Sequence, residues 1–243
     1  MKKLAFFLMI IYSLNISVAS AANEWIDKKY DFKKVKKVII IAPIIENVDE
    51  ISKRNMIDEF KKRAENKKVK VLDLEQIVDL LPFEGTYELA QFIDNNEIEN
   101  MNRKDAEAAL KEFGHICSRY LVNSAELVIL VSVNNYNTGY TYVEGYSYTT
   151  TEYEKVKVKS DKHGDTTIEY PVTKEHNVPG GYRTTLSAAV EFISFETKKG
   201  DIVWMKNDDR GKTADMWGSQ EPMSMYKRII KSFFSDLESK IDA

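Results

Sequence analysis

Two short stretches, VIIIA at 38–42 and LVILVSV at 127–133, constrain the fold more than anything else in the chain. A strand packed on one face alternates apolar and polar residues, because successive side chains point to opposite sides. These two stretches are apolar on both parities. Each must be covered on both sides, which predicts central strands in a sheet with helices on its two faces.

Helices able to supply that cover are legible. Residues 49–67 carry Ile51, Met56, Ile57, Phe60 and Ala64 at helical spacing. Residues 102–121 give the clearest stripe, Ala106, Ala109, Leu110, Phe113, Ile116, Cys117, Tyr120 and Leu121, with Asn102 able to cap the first turn. Residues 75–81 read as a short helix stopped by Pro82, and Pro222 opens a closing helix with Tyr226, Ile229, Ile230, Phe233, Leu237 and Ile241 inward. The segment VKVLDL at 69–74 alternates as a strand. A strand at 184–197, the turn KKGD at 198–201 and IVWMK at 202–206 form a hairpin. Residues 208–220 read as a polar loop, and 23–37 as a polar lead-in anchored by Trp25, Tyr30 and Phe32. The predicted class is α/β (α+β): a mixed, largely antiparallel sheet with helices packed on it. One domain spans 22–243, with a long Tyr-rich β-hairpin insertion at about 134–181.

The first residues predict export. Lys2 and Lys3 precede the apolar run LAFFLMIIYSL, and Ala19 and Ala21 are the small residues a signal peptidase accepts, so 1–21 read as a signal peptide. The run is shorter than the roughly 20 residues that span a bilayer, and no cysteine near the cut suggests lipidation. The mature chain is expected in the periplasm or outside the cell, with no transmembrane span. Losing the two leader lysines takes the net charge from −3 to −5, which gives no general attraction for nucleic acid or an anionic membrane. The single cysteine excludes an internal disulfide, and its place on a helical stripe makes Cys117 a core residue.

Catalytic patterns are missing. There is no Gly-rich phosphate loop, no zinc-binding helix and no nucleophile elbow. His163 and His176, with Asp161 and Asp165, match no standard metal-ligand spacing and suit turns instead. The triplet Asp208-Asp209-Arg210 reads as a solvated ion pair. No catalytic residue, metal or cofactor is expected.

One segment stands out. In YNTGYTYVEGYSYTTTEY, residues 136–153, Tyr136, Tyr140, Tyr142, Tyr146 and Tyr148 share one parity. A two-residue turn at Glu144-Gly145 would put Tyr140 and Tyr142 on the face opposite Tyr146 and Tyr148. A three-residue loop at 143–145 needs φ > 0 only at Gly145 and would pair Tyr142 with Tyr146 and Tyr140 with Tyr148. A turn at 137–139 is the competing register. A second hairpin turns around 161–165. The tyrosines either cover an inner face or stand exposed as a platform for a partner or a sugar.

The last third carries a resemblance. Glu196, Gly200 and Trp204 in ETKKGDIVW, followed by DDR and a closing helix, together with the opening YDFKKVKKVIIIAP at 30–43, resemble a group of bacterial envelope domains. The group includes the curli-secretion lipoprotein, the lipoprotein activators of penicillin-binding proteins and the N-terminal domain of the Tol–Pal propeller protein. The chain looks closer still to uncharacterised secreted proteins of anaerobic bacteria with a Tyr-rich insertion at this place. The resemblance implies a small α/β domain with a non-catalytic role in binding or assembly. The lipoproteins' N-terminal cysteine is lacking here, so a lipid anchor does not carry over. The expected function is an exported, non-enzymatic binding or assembly protein of the cell envelope, its site on Tyr140, Tyr142, Tyr146 and Tyr148. Its partner would be an envelope protein or a cell-wall component, and a homo-oligomer is left open. The alternatives are a cell-wall or carbohydrate-binding module using those tyrosines, and a hydrolase not betrayed by spacing.

Overall fold

The computed structural model describes residues 23–45, 48–65, 67, 69–95, 103–158, 166–213 and 221–242. They form two compact units. One is Gly139–Thr185; the other holds the described residues up to Thr138 and from Leu186 onward.

The larger unit is a mixed sheet between two helical layers. Its strands are β1 (Asn23–Ile26), β2 (Val38–Ile41), β3 (Ile44–Ile45), β4 (Val69–Leu72) and β9 (Ile202–Thr213), with parts of β5 (Leu127–Val143) and β8 (Gly181–Glu196). The order is β1-β9-β8-β5-β2-β4, and β3 also pairs with β5. β2 lies parallel to both neighbours, with Val38 beside Val69 and Leu127. β1 is antiparallel to β9. The fold class read from the sequence is the one observed.

The helices are α1 (Glu50–Ala64), α2 (Leu74–Val78), α3 (Phe83–Asn95), α4 (Arg103–Tyr120) and α5 (Met223–Ile241). Two-sided burial of the apolar strands is direct. Ile39, Ile41, Val128 and Leu130 face a core built with α2, α3 and α4. Val38, Ile40, Leu127, Ile129 and Val131 face a core built with α1 and α5. The stripes of α4 and α5 are buried as their spacing demands, although Tyr120 and Ile241 are only partly covered. Among the described residues no helix is long and apolar enough to cross a membrane.

Four details depart from the sequence reading. α3 was not foreseen: Leu89 and Phe92 pack inward, but Phe83 and Tyr87 stand exposed and blur the stripe. Ile51 is exposed at the start of α1, and Trp25 is half exposed on edge strand β1, so neither anchors the core. β9 runs through Asp208-Asp209-Arg210 to Thr213 instead of ending at 206. The Asn102 cap, the 161–165 turn and the leader lie outside the described residues.

The β8–β9 turn fits the chain closely. Gly200 has φ +83°, a left-handed conformation that glycine adopts without steric cost. Its N–H bonds Glu196 O at 2.9 Å, and Glu196 N–H bonds Asp201 O at 2.9 Å. A Cβ on Gly200 would lie 2.3 Å from Gly114 O of α4, and one on Gly114 would lie 2.0 Å from Gly200 O. The two glycines let helix and turn touch backbone to backbone. Trp204, in the next strand, is fully buried, and its indole N–H bonds Glu24 at 2.7 Å.

Candidate binding site

The smaller unit carries the tyrosines. In it β6 (Tyr146–Val158) and β7 (Thr166–Val178) form a two-stranded antiparallel sheet over thirteen residue pairs. Tyr146 lies opposite Val178 and Tyr148 opposite His176. The expected local hairpin, Tyr142 on Tyr146 and Tyr140 on Tyr148, is therefore not formed. The outgoing chain continues past Glu144-Gly145 and finds its partner thirty residues on. The backbone groups of β6 are satisfied along the full length of β7 instead. The second hairpin, with Val156 and Val158 on its incoming arm, is the one the chain uses.

Glycine marks the point where the strands break. A Cβ on Gly145 would meet Gly180 N at 2.7 Å, and one on Gly180 would meet Gly145 N at 2.8 Å and the Tyr142 hydroxyl at 2.8 Å. Two backbones approach here more closely than side chains allow.

The rings are exposed. Tyr140 is 76% exposed, Tyr142 58%, Tyr146 59% and Tyr148 46%, and Tyr153 and Tyr182 join them. Tyr142 meets Tyr182 edge to face at 5.5 Å. Tyr146 and Tyr148 share a face at 6.2 Å, as their parity requires. Tyr148 stacks on His176 at 4.9 Å, and His176 also lies 2.8 Å from the Thr150 hydroxyl. Tyr136 differs: it is half buried in the larger unit, against the α1/α5 core. Sequence reading named the four rings, did not single out Tyr182, and took His176 for a turn residue although it lies in β7. His176 lies across the β6–β7 ladder and Tyr182 on β8, so only strand pairing could bring them to the rings. Charges of both signs accompany the rings, with Glu152 paired to Lys174 at 2.5 Å and Lys155 to Glu169 at 2.7 Å.

Several nucleophilic or ionisable groups are buried in the larger unit. Cys117 is buried, and desolvation pushes its thiol well up from the ordinary range. Asp208, expected in solvent, is buried and takes a bidentate pair from Arg210 at 2.8 and 2.7 Å. Beside it the buried Lys206 ammonium bonds Asp236 and the Ser232 hydroxyl of α5. Two carboxylates and two cations thus close on one another under α5, which gives the DDR triplet a structural use. Glu191 is largely buried and pushed up to about 7 by desolvation, with the Asn134 amide at 3.5 Å only partly opposing the shift. Among the described residues no group of three or more His, Cys, Asp or Glu could hold a metal.

No protein-family model matches the chain, and no curated protein matches it. Among solved structures the chain is similar to the PelC dodecamer from Paraburkholderia phytofirmans, at 10% identity and TM-score 0.38, over 89% of this chain and 96% of that one. It is similar to lipoprotein GNA1162 from Neisseria meningitidis, at 9% identity and TM-score 0.35, over 84% and 98%. It is also similar to hypothetical protein CT253 from Chlamydia trachomatis, at 10% identity and TM-score 0.39, over 84% and 96%. TM-scores this low carry no assignment of family or function to this chain.

Proposed function

We propose that this chain is an exported, non-enzymatic binding or assembly protein of the bacterial cell envelope, and that Tyr140, Tyr142, Tyr146 and Tyr148 contact its partner, an envelope protein. The observation that carries this reading is the exposure of all four rings. Tyrosine is an amphipathic ring with little side-chain entropy to lose, and it is enriched where proteins meet. The paired charges near the rings suit the polar rim of a protein interface better than a sugar subsite. A cell-wall glycan stacked on the free ring faces is the second reading, supported by the same exposed rings. The Lys–apolar–Ala-x-Ala order supports export, with a mature start at Ala22. Intact Met1 in mass spectra of protein recovered from outside the cytoplasm would refute it.

The test uses immobilised mature protein and its Tyr142→Ser/Tyr146→Ser variant, each exposed to envelope-protein extract and to purified cell wall. One discrete protein held by the parent and lost by the variant, at unchanged melting temperature, supports the first reading. Retention on cell wall alone, lost in the variant, supports the second. A variant that melts several degrees lower without losing capture assigns the rings to structure, and a variant that changes neither property defeats both readings.

A further inference from the structure

The larger unit has a second feature, independent of the tyrosines. A concavity of about 460 Å³ opens at the end of the sheet where β2 and β4 begin. Four lysines line it, Lys36, Lys37, Lys67 and Lys70, and among the described residues no acid does. The parallel register produces this gathering. Val38 lies beside Val69 and Ile39 beside Lys70, so the lysines that precede each strand meet at one end. The apolar starts of the two strands, Val38, Ile39 and Val69, form part of the lining, and the turn after α4 adds Asn123 and Ser124.

The nearby carboxylates offset the group only in part. Glu126 accepts the backbone N–H groups of Lys36 and Lys37 on one oxygen, Oε2, at 3.2 and 2.6 Å, and does not line the hollow. Glu238 pairs with Lys67. Lys36, Lys37 and Lys70 have no ion-pair partner among the described residues. In a chain whose net charge is negative, four lysines line one hollow of the size that small ligands occupy.

We propose that this hollow binds a small organic phosphate. A phosphate monoester carries about −1.5 to −2 charges at neutral pH and three strong acceptor oxygens, which matches several cations better than a single carboxylate would. The lysine ammonium groups take the phosphoryl oxygens, with the Asn123 amide and Ser124 hydroxyl as further donors. The apolar body of the ligand lies on Val38, Ile39 and Val69.

The test is calorimetric titration of the mature chain with phenyl phosphate, and with inorganic phosphate for comparison. One saturable site is expected, tighter for phenyl phosphate and weakened when salt rises from ~50 to ~300 mM. Lys36→Glu/Lys70→Glu should weaken it about tenfold or more, while Lys155→Glu/Lys157→Glu on β6, with the same charge change, should leave it intact. Amide shifts of Lys70 and Ser124 during titration of the unmutated chain place the ligand even where a variant folds poorly. Absence of a saturable site, equal affinity for inorganic phosphate, equal loss in the β6 variant, or unmoved Lys70 and Ser124 amides would each overturn the proposal. None of these outcomes touches the tyrosine reading, because that site lies in the other unit.

Discussion

Phe233 offers the sharpest test of how the larger unit is held. Its ring is fully buried, lies parallel to Phe192 at 3.9 Å between centroids, and is stacked on Trp204 at 5.6 Å. Phe60 and Phe234 close the cluster at 6.4 and 5.2 Å. The ring therefore joins α5 to two central strands and to α1. Removing a buried phenylalanine ring costs about 3–5 kcal/mol, because the transfer energy is lost and a cavity remains. Close packing on several sides leaves little room for collapse, which puts Phe233→Ala at about 4 kcal/mol or more. For a chain of this length each kcal/mol moves the melting temperature by about 2–4 °C, so the midpoint should fall by roughly 8–16 °C. Phe233→Leu keeps most of the apolar volume and loses the stacking, for an expected cost of about 1–2 kcal/mol. Urea unfolding followed by far-UV circular dichroism is the suitable assay, since the α-helices among the described residues belong to the larger unit. A loss below about 1 kcal/mol for Phe233→Ala would mean that α5 is not docked as described. Equal losses for the two variants would mean that stacking, not burial, dominates.

Two further predictions concern the same unit. Gly114→Ala sets two effects against each other: helix propensity alone would favour alanine by about 0.5–1 kcal/mol, while the 2.0 Å approach to Gly200 O calls for a loss of about 1–3 kcal/mol. Denaturant melts showing a stabilised variant would refute the contact. Glu191 gives a pH dependence. Its folded pKa of about 7 lies above the ordinary value of 4.5, so the folded state binds the extra proton, and stability is lost as pH rises from about 4.5 through 7. Glu191→Gln should flatten that slope and raise stability at pH 8; melts at pH 5 and 8 that show the same slope in both proteins would refute the assignment.

Much of the fold was legible because its signals are local. Two-sided apolarity at 38–42 and 127–133 depends only on which faces are covered, and the stripes of α4 and α5 depend only on helical period. The misses share a different cause. Gly85 suits α3 because a Cβ there would sit 2.9 Å from the Tyr120 ring, a contact invisible without the fold. Asp208 reads as solvated until Arg210 and Lys206 appear beside it. Parity correctly put Tyr146 and Tyr148 on one face, but parity names no partner, and turn preference pointed to the wrong one. The four lysines of the hollow lie as far apart as positions 36 and 70, and only the β2–β4 register unites them.

The ladder of β6 and β7 has a consequence for edge-to-edge strand pairing between copies of this chain. In a two-stranded sheet each strand keeps one row of peptide N–H and C=O groups turned outward, a template on which another strand can grow. Thirteen residues a side is long for such an edge. Pro171, opposite Tyr153, leaves β7 one backbone donor short. Glu152, Glu154, Lys155 and Lys157 crowd the second half of β6, so two copies laid side by side in register would set like charge on like charge. Pro171 and the charged half of β6 thus work against in-register stacking of the strands that hold the tyrosine rings in water.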